Sequence, residues 1–198
     1  MTSVAGRSLD VSTVRRAGIV IVLSAVAIEL HELGHRAVFF LTGTPARMGF
    51  QRVDPTVPVS QALWLWGKAG GPLVTLILSV AFLAVARRRG TFAWATAAFT
   101  QATLRMLPLT FDLVRAVRGA TPFSDEGELF RAVSGAVPVR VALVLMVWAV
   151  FGALSVLAAR TFPFRRRRWL GVAAVYLLSL AVGIGAAVAD DLLGIHGR

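Results

Sequence analysis

The chain is 198 residues long, 57% hydrophobic and 16% charged, with a mean hydropathy of +0.73; soluble domains are nearer half apolar and a quarter charged, so a soluble globular protein and a disordered chain are both disfavoured. Lys and Arg number 21 against 10 Asp and Glu, a net charge of +11, which beside apolar spans reports flanking charges that set orientation and not a nucleic-acid surface. The absence of Cys excludes a disulfide framework, a thiolate metal site and a cysteine nucleophile.

Runs of roughly 20 apolar residues are the unit of membrane crossing. The first runs from Ala17 to Thr42, after Arg15 and Arg16, and stops at Gly43-Thr44-Pro45. Its start is similar to a signal peptide, but the apolar character continues well past Ala25-Val26-Ala27, so it reads as a mature helix. Residues 46–69 are mixed, and Pro55 and Pro58 forbid a continuous helix. Met48 to Val53 and Val57 to Trp66 read as short strands or as an interfacial segment, with Trp64 and Trp66 suited to the headgroup region.

The second span opens at Gly70-Gly71-Pro72 and ends at Arg87-Arg88-Arg89. The third, Thr91 to Leu109, carries Gln101, Arg105 and Pro108. A polar connection over 110–139 holds Asp112, Asp125, Glu126 and Glu128. The fourth and fifth spans are Val141 to Ala159 and Trp169 to Ala189. The expected fold is an all-α polytopic membrane protein of about five transmembrane helices, with a short strand-like or interfacial segment after the first. It reads as a single domain over 1–198, in the membrane of a bacterial cell. With the N-terminus in the cytoplasm, Arg7, Arg15, Arg16, Arg87–Arg89, Arg160 and Arg165–Arg168 share the inner side. Lys68 falls on the outer side, and Arg165–Arg168 read as an orienting anchor. Gly183 and Gly185 give the last span a small-residue face for close packing.

The first span contains His31-Glu32-Leu33-Gly34-His35. At about 100° per residue, His31 and His35 lie one turn apart on one helix face and can share a metal. Glu32 projects to the side, within reach of a metal-bound water. This is the mechanical content of the H-E-x-x-H pattern: zinc acidifies a water and the glutamate takes its proton. Ionisable residues inside a bilayer are costly and functional by default. Here Glu29, His31, Glu32, His35 and Arg36 cluster within two turns. Glu29 has no place in the pattern; it either orients a ligand from outside the coordination sphere or, the favoured reading, pairs with a basic group elsewhere.

A hydrolytic zinc site needs a third protein ligand and an open position. Asp125 is the preferred candidate, because Ser124 can cap a helix starting there and a carboxylate suits the first turn. Asp112 is the rival and Glu126 a third option. Arg105 is expected to pair with a carboxylate such as Asp112, or to snorkel. Asp190 and Asp191 read as polar residues ending the last span, and His196 as solvated.

With these residues in place, the sequence resembles the site-2 protease family of intramembrane zinc metalloproteases. The pentad in an early span carries the resemblance. So do Gly70-Gly71-Pro72-Leu73, similar to the family's Gly-Pro element, and Arg105-Met106-Leu107-Pro108 followed by Ser124-Asp125-Glu126-Gly127, similar to its Asn-Leu-Leu-Pro and Asp-Gly elements. The chain differs in carrying Arg105 for the Asn, Glu126 directly after the aspartate, and Thr75 where the Gly-Pro element usually continues to Asn. The resemblance covers 17–135, the catalytic core, and leaves 141–189 as two further spans. It implies His31, His35 and Asp125 as zinc ligands and Glu32 as general base. The function it implies is hydrolysis of peptide bonds in membrane-protein or peptide substrates. It also implies a site open toward the cytoplasm, whereas the charge pattern places the loop after the first span outside. The competing readings are a non-catalytic relative that binds zinc or membrane helices, and a metal or proton transporter. A transporter would spread its ionisable residues over several spans, and here they concentrate in one.

Overall fold

The computed structural model describes residues 11–49, 53–164 and 168–192. They form a helical bundle with one small hairpin: α1 (Val11–Leu41), β1 (Ala46–Met48), β2 (Val53–Pro55), α2 (Gln61–Arg89), α3 (Phe92–Thr103), α4 (Met106–Val117), α5 (Asp125–Val133), α6 (Val137–Ala159) and α7 (Arg168–Leu192).

α1 ends where the sequence signals a stop. Gly43 takes a left-handed φ of 68°, and the N–H of Thr44 turns back to the Phe39 carbonyl. The chain then forms an antiparallel hairpin, pairing Ala46 with Pro55, Arg47 with Asp54 and Met48 with Val53. A strand over Val57 to Trp66 does not form. Ser60 accepts a hydrogen bond from the Leu63 N–H and caps α2 there, so the helix starts nine residues before Gly70. Gly70, Gly71 and Pro72 therefore lie inside α2 and do not open it. Their place is explained by packing, since a Cβ at Gly70 would overlap the backbone of Gly34 on α1, and the reverse holds for Gly34. The two helices cross with their backbones in contact at this pair.

The expected third span is broken. α3 stops at Thr103 and α4 begins at Met106. At about 1.5 Å per residue, twelve residues reach about 18 Å, short of the roughly 30 Å hydrocarbon thickness. α3 is instead a buried centre post, shielded at every residue from Ala95 to Thr103. Among the described residues four helices are long and apolar enough to cross a membrane, α1, α2, α6 and α7 through Asp190, where the sequence suggests about five.

The larger apolar cluster surrounds α3. It joins Val20, Leu83, Phe99, Phe162 and Val175, about three turns along α1 from the histidines. Arg16 lies over the Phe92 and Phe164 rings at this end. α2 terminates there too, on Arg87–Arg89 and a left-handed Gly90. The outer faces keep large apolar side chains exposed, among them Ile77, Val80 and Leu177. α4, α5 and the first half of α2 frame the opposite end, around the pentad.

Candidate metal centre

His31 and His35 are both buried, and their rings meet edge to face with centroids 4.8 Å apart. Their Nε2 atoms are 3.1 Å apart. Each Nδ1 is engaged from α2: that of His31 lies 2.8 Å from the Thr75 hydroxyl, and that of His35 lies 2.6 Å from the Gly67 carbonyl. A carbonyl only accepts, so Nδ1 of His35 donates to Gly67, and Nε2 is the ring nitrogen turned toward Asp125. Such outer contacts fix the tautomer and ring orientation of metal-binding histidines. Gly71 supports the pair from below, since a Cβ there would overlap Nε2 of both rings.

Asp125 completes the group from α5. Its Oδ2 is 3.1 Å from Nε2 of His35 and 3.7 Å from Nε2 of His31. Among the described residues His31, His35 and Asp125 form a cluster able to hold a metal ion, with one ligand atom from each and all three within 4.8 Å. The reason is local. Ser124 caps α5 by accepting from the Gly127 N–H, as the sequence suggests, and Asp125 falls in the first turn. Burial pushes the Asp125 carboxyl up, but its hydrogen bonds with His31 and His35 and the nearby Lys68 charge prevail and hold it well below the usual carboxylate range.

The other candidate carboxylates have different work. Asp112 is buried and accepts from the N–H groups of Phe123 and Ser124 and from the Ser124 hydroxyl. It anchors the turn that delivers Asp125 and is not in the metal-ligand group. Glu126 is buried against Arg105, whose Nε donates to Oε1 at 2.9 Å and whose Nη2 donates to Oε2. Burial raises the Glu126 carboxyl, and the Arg105 charge outweighs it and holds it below its ordinary value. Arg105 thus pairs with Glu126 and not with Asp112. The break between α3 and α4 is what lets it turn toward α5. Glu29 is half-buried and outside the cluster. Asp190 lies near the end of α7, where the sequence places it, and is buried. Arg7, the Asp191 side chain, His196 and Arg165–Arg167 lie outside the described residues.

On sequence grounds Lys68 belongs to the outer connection after the first span. It lies in α2, with Nζ 3.0 Å from Asp125 Oδ1 and 3.0 Å from Glu128 Oε2. A lysine embedded two residues before Gly70 is a signal in itself, once Ser60 is taken as the helix start.

Glu32 is buried, and its Oε2 has no hydrogen-bond partner among the described residues. It lines a cavity of about 660 Å³ together with His31, Lys68, Arg105 and Asp125. Two imidazole nitrogens and one carboxylate oxygen suit zinc, and the orphaned carboxylate beside them is what a water held at the open position would need. The donor set therefore fits the implied metal.

No protein-family model, curated protein or solved structure matches the chain.

Proposed function

We propose that the chain is a multi-pass membrane metallopeptidase that hydrolyses peptide bonds of membrane-associated substrates. The observation that carries this reading is the convergence of His31, His35 and Asp125 beside the unpartnered Glu32 oxygen, with His31, Glu32 and Asp125 lining one cavity large enough for a short peptide stretch. Zinc is the metal we assign, held by Nε2 of both histidines and by the Asp125 carboxylate. When bound it would acidify a water and polarise a carbonyl.

The residues of the chain supply the rest. Glu32 accepts the proton of the attacking water on its free oxygen and returns it to the leaving amine. Thr75 and the Gly67 carbonyl keep both imidazoles turned toward the ligand position. Lys68 holds the second Asp125 oxygen, leaving Oδ2 to face the histidines. The apolar wall of the cavity, including Leu107, Phe111 and Ile184, lowers the local dielectric and strengthens each polar interaction within it.

The membrane setting is supported by the four long apolar helices and their exposed outer faces. The end bearing Arg15, Arg16, Arg87–Arg89 and Arg160 is assigned to the cytoplasm of a bacterial cell, by the excess of basic residues there. The histidines then lie nearer the outer surface, opposite to the orientation that the family resemblance implies.

The test is zinc content and peptide hydrolysis on detergent-purified protein, wild type beside Glu32→Gln. Wild type should bind about one zinc and cleave; the variant should keep the zinc and lose at least about 100-fold in rate. Zinc without cleavage in wild type would favour the non-catalytic reading. Hydrolysis retained by Glu32→Gln would remove the glutamate from its role.

A further inference from the structure

Every residue of α3 from Ala95 to Thr103 is buried, and its polar side chains divide into two kinds. Thr96, Thr100 and Thr103 donate their hydroxyls to the carbonyls of Phe92, Thr96 and Phe99. Each is satisfied one turn back along its own helix. Gln101 is not. It is 2% exposed, and its Oε1 is buried with no hydrogen-bond partner among the described residues. Leaving a buried amide oxygen unpaired is costly, so such a group invites a partner from outside the fold.

The place of Gln101 indicates which partner. Its side chain lines the same cavity as His31, Glu32 and Asp125. Arg105, one turn further on, lines it as well, but its Nε and Nη2 are committed to Glu126. Much of the remaining wall is apolar. A side-chain amide presents a donor and an acceptor side by side, the complement of the N–H and C=O that one residue of an extended strand turns to the same side. An apolar peptide segment that has left its helical conformation exposes those backbone groups. In a water-poor cavity it must find partners for them.

We infer that Gln101 docks the backbone of an extended apolar peptide, its amide pairing with the N–H and C=O of one residue beside the bond held at the metal centre. The inference rests on the peptidase reading and names a recognition point within it. Gln101 acts on binding; the proton chemistry stays with Glu32.

The test uses the full chain in detergent, loaded with zinc. The probe is a short, apolar, internally quenched peptide, with a series of analogues N-methylated at successive backbone positions. N-methylation at one position should weaken binding to wild type about tenfold or more. Gln101→Met should raise KM about tenfold with kcat within about twofold, and should erase the discrimination at that position. Zinc content and melting temperature should stay level or rise, because the substitution removes an unsatisfied buried amide. An unchanged KM and intact N-methyl discrimination in Gln101→Met would overturn the inference while leaving the peptidase reading standing. Binding with the expected discrimination but no cleavage would overturn the peptidase reading and support the docking role. The N-methyl series on wild type requires no variant, so a misfolded Gln101→Met does not block the test. Failure of wild type to bind the peptide, or to sense any methylated position, overturns the inference.

Discussion

Asp112 grips Ser124 at both its backbone N–H and its hydroxyl. Ser124 in turn caps α5, and the next residue, Asp125, faces the histidines. The two aspartates that compete on sequence grounds for the third ligand position are thus successive links of one chain of contacts. Gly127 lets them sit together, since a Cβ there would press on the Asp112 carboxyl.

That relationship separates two substitutions. Asp125→Ala removes the proposed third ligand and should abolish stoichiometric zinc binding. Asp112→Ala should leave the ligand set intact but loosen its delivery, weakening zinc by about 10- to 100-fold, the usual cost of losing an outer-shell contact. It should also lower stability by roughly 1–3 kcal/mol through unpaired buried N–H groups. Zinc titration against a competing chelator reads both. Full loss with Asp112→Ala and retention with Asp125→Ala would reverse the assignment.

Gly71 carries the second prediction. Its missing Cβ is the space in which the two imidazoles meet. Gly71→Ala should push the rings apart and weaken zinc by about 100-fold or more, comparable to or beyond an outer-shell defect. Gly18→Ala is the matched control. Gly18 also lies in a long helix, but a Cβ there meets nothing within 4 Å, so helix propensity should leave it neutral or stabilised by up to about 1 kcal/mol. Equal zinc affinity in the two variants would show that the glycine does not shape the site.

These residues also show what was legible in the sequence. The spacing of His31, Glu32 and His35 is a property of one helix, so it can be read locally. The Ser124 cap is equally local, and Asp125 follows from it. Ser60 is the same kind of signal, yet the expectation of a helix start at Gly70 rests on the Gly-Gly-Pro string, which the fold uses for close packing. That nine-residue difference is what hides Lys68 from the site. The break between α3 and α4 was marked by Arg105 and Pro108. Its reason, a partner 21 residues along at Glu126, is tertiary and has no period to reveal it.

The Arg105–Glu126 pair carries the last prediction. Both charges are largely withdrawn from water, so removing one strands the other. Glu126→Gln should cost about 3–5 kcal/mol at neutral pH, whereas replacing both residues with apolar side chains of similar volume should recover most of it. The pH dependence has a defined sign. Arg105 holds the Glu126 carboxyl below its ordinary value of 4.5, so the folded state takes up this proton less readily than the unfolded chain. The contribution of the pair is complete above about pH 4.5 and is lost as pH falls through the depressed folded value. Thermal melts of chelator-treated protein, wild type against Glu126→Gln, should therefore show a stability gap that is widest near neutrality and narrows on acidification. Chelation keeps zinc release out of the comparison, and titration of Asp125 is common to both proteins. A gap that stays constant into the acid range would mean that the two variants differ by packing and not by the charge on Glu126.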